Sequence, residues 1–290
     1  MAGIIDLVGN TPMAELTRLN PNRNVKIYAK LEGNNPAGSV KDRAALNMIQ
    51  SALERGDIKP GMKLIEATSG NTGIALAMMA RLFGLEIELI MPASSSKERT
   101  ATMQAFGAKV VLMESMEICR DYAEEKGLES DYYLMNQFSN PDNYLAHYKT
   151  TGPEIWRDTD GKITHFVSAM GTTGSIMGNS MFLKEQNPDI RIIGCQPTEE
   201  SSIPGIRRWP AAYMPKIFDA SRVDQVLDIS QADATDMARK LARTEGIFAG
   251  MSTGGAAHAA LKVAETLDSG VIVFIACDRG DRYLSTDLFG

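Results

Sequence analysis

Apolar and polar positions along the chain follow two alternating rhythms. Short, nearly continuous apolar runs occupy residues 25–31, 63–67, 86–91, 109–113, 165–169, 191–196, 226–229 and 271–276. Runs of that kind are expected of strands covered on both faces. Between them apolar residues recur at helical spacing. In the stretch 72–83, Ile74, Ala75, Met78, Met79 and Leu82 fall on one face, and 44–53, 234–244 and 256–267 read the same way. Strands alternating with helices predict an α/β fold with a mainly parallel sheet. Two segments break the rhythm. Residues 32–40 (EGNNPAGSV) are rich in Gly, Asn and Pro and read as a loop. Residues 199–215, with three prolines and a tryptophan, read as a long ordered loop, a type that is often functional.

The chain has 290 residues, which at roughly 150 residues per domain predicts about two domains or one large α/β unit. Its 30 basic and 36 acidic residues give a formal charge of −6, which disfavours nucleic acid or an anionic membrane as the main partner. A local pocket for a small anion remains compatible with that charge. Cys119, Cys195 and Cys277 are odd in number and widely spaced, so no disulfide framework is expected. With His147, His165 and His258 also far apart, no metal site is expected either. The N-terminal MAGIIDLVGN carries Asp6 and no basic stretch, unlike a signal peptide. The longest apolar runs fall short of a bilayer span, so a soluble, cytoplasmic protein is expected.

Four segments carry candidate chemistry. In THFVSAMGTTGSIMGNSM an apolar strand runs into Gly171, Thr172, Thr173, Gly174 and Ser175, after which a helix begins. Free N–H groups at a helix start, together with three hydroxyls, suit a phosphate; a tight capped turn reads the same way. Lys41 falls in the first turn of the 44–53 helix, with Ser39 as the expected N-cap. There the helix dipole disfavours a cation and favours the neutral, nucleophilic amine, although a solvated surface lysine fits as well. Residues 66–73 (EATSGNTG) end a strand in a loop of hydroxyl, amide and N–H donors without a cation, suited to a carboxylate or to simple capping. Residues 250–255 (GMSTGG) form a second turn of that type. The fingerprint G-x-G-x-x-G is missing, which argues against a dinucleotide-binding oxidoreductase.

Taken in order, these segments resemble the cysteine synthase family (O-acetylserine sulfhydrylases), and the resemblance covers nearly the whole chain. It rests on GNTP at 9–12, NPAGSVKDR at 35–43, TSGNTG at 68–73, QFSNP at 137–141, TTGPEIW at 150–156, the GTTGS turn and RYLST at 282–286. IPGIRRWP at 203–210 and CDRGDR at 277–282 resemble the B-type enzymes in particular.

That resemblance implies a tryptophan synthase β-like fold (pyridoxal-phosphate fold type II) with two α/β domains and the cofactor between them. Residues 36–140 would form a smaller, mobile domain, and 1–35 with 141–290 the larger one. It implies a transferase that makes L-cysteine, or S-sulfocysteine, from O-acetyl-L-serine and sulfide or thiosulfate through an aminoacrylate, within cysteine biosynthesis. Lys41 matches the lysine that carries pyridoxal 5'-phosphate, and Gly171, Thr172, Thr173, Gly174 and Ser175 match the phosphate cradle. Asn71 matches the partner of the ring oxygen and Ser252 that of the pyridine nitrogen. Thr68, Ser69, Thr72 and Gln137 match the grip on the substrate carboxylate. Thr253 stands where many relatives have a second serine. Arg207 and Arg208 are candidates for admitting an anionic sulfur donor, with surface salt bridging as the alternative. A cytoplasmic homodimer is expected, and a buried, inert thiol is expected for Cys277.

Overall fold

A computed structural model of the protein describes residues 3–68 and 70–290. Among the described residues the strands are β1 (Met13–Glu15), β2 (Val25–Leu31), β3 (Lys63–Ala67), β4 (Glu86–Pro92), β5 (Lys109–Met113), β6 (Tyr132–Leu134), β7 (His165–Ala169), β8 (Arg191–Pro197), β9 (Gln225–Ile229) and β10 (Gly270–Ala276). The helices are α1 (Lys41–Arg55), α2 (Asn71–Leu82), α3 (Lys97–Ala105), α4 (Met116–Lys126), α5 (Pro141–Ala146), α6 (Gly152–Asp158), α7 (Gly174–Gln186), α8 (Gln231–Lys240) and α9 (Met251–Ala264).

The strands form two sheets. One has the order β1-β2-β10-β7-β8-β9 and is parallel except for the β1 edge; the other, β5-β4-β3-β6, is parallel throughout. Each sheet is covered on both faces. In the larger, Ile27, Val167 and Phe274 pack toward α8 and α9, and Phe166, Ile192, Val273 and Ile275 toward α6 and α7. In the smaller, Leu64 and Leu89 pack toward α1 and α2, and Ile65, Ala67 and Ile90 toward α4. Two-sided burial is why these strands read as unbroken apolar runs.

The eight expected strands are present within a residue or so at each end. The three-residue strands β1 and β6 were not expected, since they are too short to show a period. The last helix begins at Met251 rather than 256, because the Gly-rich segment is helical and not a turn. Its glycines serve packing: a Cβ at Gly254 would strike the backbone of α8 at Ala234 and Ala238. The helix expected to run to 244 ends at Lys240 and continues as a π-turn over Leu241–Glu245. A second π-turn spans His147–Thr151, between α5 and α6. Ser39 is not the N-cap of α1; that position is Val40, and Ser39 Oγ instead accepts from the Lys41 N–H at 3.2 Å.

Among the described residues no helix is long and apolar enough to cross a membrane, and no group of three His, Cys, Asp or Glu is placed to hold a metal ion.

Candidate active site

The candidate residues come from the C-terminal ends of strands in both sheets. Thr68 follows β3, Gly171 follows β7, and Cys277 and Asp278 follow β10. This is where open parallel sheets place their ligands.

Lys41 opens α1 and is half-buried. Burial pushes its amine below the usual lysine range, and the nearby Cys277 and Asp278 only partly oppose this. Desolvation is the main cause of this downward shift, which moves the balance toward the neutral amine. Cys277 touches Ser252 as well, and burial pushes its thiol up to about 12, so it stays protonated and inert at neutral pH. Thr253 is fully buried and its hydroxyl accepts from the Cys277 N–H at 2.9 Å, so that hydroxyl is committed to the scaffold.

The turn at 171–175 joins β7 to α7 and carries no charge. Thr173 sits at φ +71°, an unusual conformation for a β-branched residue, and its buried Oγ1 has no hydrogen-bond partner. Gly171 is required for a close approach: a Cβ there would come 2.7 Å from the carbonyl oxygen of Gly205. Gly205 in turn lies against Ser252, whose Oγ would be 3.5 Å from an added Cβ. The turn at 171–175 and Ser252 are thus neighbours across one glycine. Ser175 Oγ is 3.2 Å from His147 Nε2, and burial drives His147 down to about 3, so that ring is neutral. Trp209 Nε1 donates to the Gly171 carbonyl at 2.7 Å, so the Pro-rich loop braces the turn. The same indole meets Phe138 edge-on at 5.4 Å.

Thr72 and Gln137 meet directly: the Thr72 hydroxyl donates to Gln137 Oε1 at 2.8 Å, and Gln137 Nε2 donates to Glu66 Oε1 at 3.0 Å. Burial raises the Glu66 carboxyl to about 7. Asn71 Nδ2 donates to Asp278 Oδ2 at 2.8 Å, and its Oδ1 accepts from Arg282. Ser69 lies outside the described residues. Arg207 is exposed and its field bears on Glu117, whereas Arg208 is turned to the sheet edge. There its Nε donates to the Pro197 carbonyl at 2.8 Å and its guanidinium pairs with Asp228 at 2.5 Å.

The model of a family described as pyridoxal-phosphate-dependent enzymes matches residues 4–278. Cysteine synthase B of Salmonella typhimurium is 59% identical over 98% of this chain and 94% of its own. That of Escherichia coli is 57% identical over 100% and 97%. The crystal structure of a cysteine synthase from Entamoeba histolytica superposes with a TM-score of 0.94 at 39% identity, covering 100% of this chain and 90% of that one. The chain belongs to the cysteine synthase family of pyridoxal-phosphate-dependent enzymes.

The side chains present fit the family's cofactor. A desolvated lysine suits an aldehyde. An uncharged turn at a helix start, with an orphaned hydroxyl, suits a phosphate. Sequence reasoning missed the residues behind these groups: Glu66 behind Gln137, His147 behind Ser175, Asn143 between Gln137 and Thr172, and Asp278 behind Asn71. Asp278 lay inside a quoted motif, but nothing in its spacing ties it to Asn71, 207 residues away.

Proposed function

We propose that this cysteine synthase family member replaces the acetate of O-acetyl-L-serine with a sulfur nucleophile. Sulfide would give L-cysteine and thiosulfate S-sulfocysteine. The observation that carries this reading is the desolvated amine of Lys41, set in one cluster with Ser252, Cys277 and Asp278 beside an uncharged anion turn.

Lys41 would hold the cofactor's aldehyde through its amine, and the N–H groups and hydroxyls of residues 171–175 would hold its phosphate. Asn71 would hydrogen-bond the ring oxygen and Ser252 the ring nitrogen. Pyridoxal phosphate, when bound, supplies a sink for the electron pair released at the substrate Cα. Thr68, Ser69, Thr72 and Gln137 would grip the α-carboxylate and so fix which Cα bond faces Lys41. The Lys41 amine, its pKa lowered by burial, would take the Cα proton and later return it. Acetate leaves Cβ with the electrons of the Cβ–O bond, and sulfur forms the new bond at that carbon. Ser252 places no negative charge at the ring nitrogen. The sink therefore stays moderate, which favours loss of the β-group over transamination.

Residues 36–140 would act as the mobile domain, closing on the bound carboxylate and excluding water. Arg207, exposed and not committed to the sheet edge, is the better candidate of the two arginines for steering thiosulfate. The family resemblance further supports a cytoplasmic homodimer. The test is product analysis with purified protein, pyridoxal phosphate and O-acetyl-L-serine. L-cysteine is expected with sulfide and S-sulfocysteine with thiosulfate, and Arg207→Ala should slow the thiosulfate reaction more than the sulfide one. Formation of neither product would refute the assignment.

A further inference from the structure

We propose that Asn143 is a positioning residue that couples the substrate-carboxylate grip at Gln137 to the phosphate turn at Thr172. The inference rests on the functional reading above and extends it to a residue with no place in that chemistry.

Asn143 lies in α5 and is 2% exposed. A single amide nitrogen serves both loops: Nδ2 donates to the Gln137 carbonyl at 2.7 Å and to Thr172 Oγ1 at 3.2 Å. Its two protons sit at a fixed angle on a planar group, so movement of one partner reorients the other. The carboxamide sits close over Gly174, in the space that a Cβ there would occupy, so this approach requires glycine. Thr172 Oγ1 also accepts weakly from the Gly174 N–H at 3.4 Å. With its lone pairs so occupied, the Thr172 O–H is left to donate to an anion.

On the other side, the Gln137 side chain is held by Thr72 and Glu66. Both of its amide protons are engaged, one on Glu66 Oε1 at 3.0 Å and one on the Ala67 carbonyl at 3.4 Å. To bind a carboxylate it must release one of them, and the backbone carbonyl of the same residue is the one bonded to Asn143. The α5 helix is itself anchored beside the moving segment. Asn140 caps it by accepting from the Asp142 N–H at 3.0 Å, and Asn140 Nδ2 donates to the Met135 carbonyl at 3.0 Å. The carboxylate and phosphate grips thus share one rigid amide, and occupancy of one is sensed at the other.

The experiment uses holoenzyme and follows the ³¹P resonance of the bound cofactor phosphate while L-serine, which has the substrate's carboxylate but no acetyl group, is added. In the parent the resonance should move on saturation. In Asn143→Leu, which is isosteric but donates nothing, it should stay still, and KM for O-acetyl-L-serine should rise at least about five-fold, more than kcat falls. Asn143→Ala, which removes the amide donor altogether, serves as the second variant should the leucine variant not fold. Either folded variant showing the parent's full ³¹P movement overturns the coupling. A parent that binds cofactor but shows no movement overturns it too. A parent that binds no cofactor overturns the reading of the site itself.

Discussion

At the scale of single residues, His147 sets the character of the turn at 171–175. Its Nδ1 is 2.9 Å from Thr151 Oγ1 and its Nε2 3.2 Å from Ser175 Oγ, and it is 1% exposed. Burial, reinforced by the Arg43 charge, lowers it from 6.5 to about 3, so it contacts Ser175 without adding charge to the turn. The sign of the pH effect follows. Between about pH 6.5 and 3 the unfolded chain binds this proton and the folded one does not. The stabilisation is therefore complete above 6.5 and is lost as pH falls. The advantage of the parent over His147→Gln in unfolding free energy should shrink by about 2 kcal/mol between pH 7 and pH 5, at 1.36 kcal/mol per unit of pKa. Urea unfolding of the cofactor-free proteins measures it; an advantage that holds constant or grows would contradict a neutral, buried ring.

At the scale of elements, the turn between β7 and α7 holds backbone strain. Thr173 keeps a left-handed backbone at φ +71° and buries an unpartnered hydroxyl. Such conformations cost of order 1 kcal/mol or more and persist where function requires them. Thr173→Gly should raise the stability of the cofactor-free protein by about 1 kcal/mol. It should also weaken pyridoxal-phosphate binding about ten-fold, since a hydroxyl bond to a charged group is lost. Thermal melts and cofactor titration check both; tighter binding in the variant would remove the hydroxyl from the cradle.

Elements of this kind were legible in the sequence because their signals are local. The apolar runs of β7 and β10, the period of α2 and the glycines of the turn all lie within a few residues of one another. What was not legible depends on distant partners. Gly254 looks like a turn residue until α8 is seen lying against it, and His147 looks like any isolated histidine until α7 brings Ser175 to it. Arg208 looked equivalent to Arg207 until β9 supplied Asp228.

At the scale of the whole molecule, a buried ion network ties α1, which carries Lys41, to the larger sheet and its helices. Arg43 pairs with Glu32 at 2.7 Å and with Glu154 at 2.6 Å. Lys30, fully buried in β2, reaches Glu154 at 2.9 Å and Asp158 at 3.1 Å. Removing one partner of such a network leaves an uncompensated charge, typically costing about 3–5 kcal/mol. The network therefore bridges the start of α1, which packs on the smaller sheet, to β2 and α6 on the larger sheet's side. The account depends on that arrangement delivering one amine to one aldehyde. The most direct measurement is borohydride reduction of the protein loaded with pyridoxal phosphate, followed by digestion and mass mapping. The account predicts a single phosphopyridoxyl adduct on the peptide containing Lys41; an adduct on another lysine, or none, would contradict it.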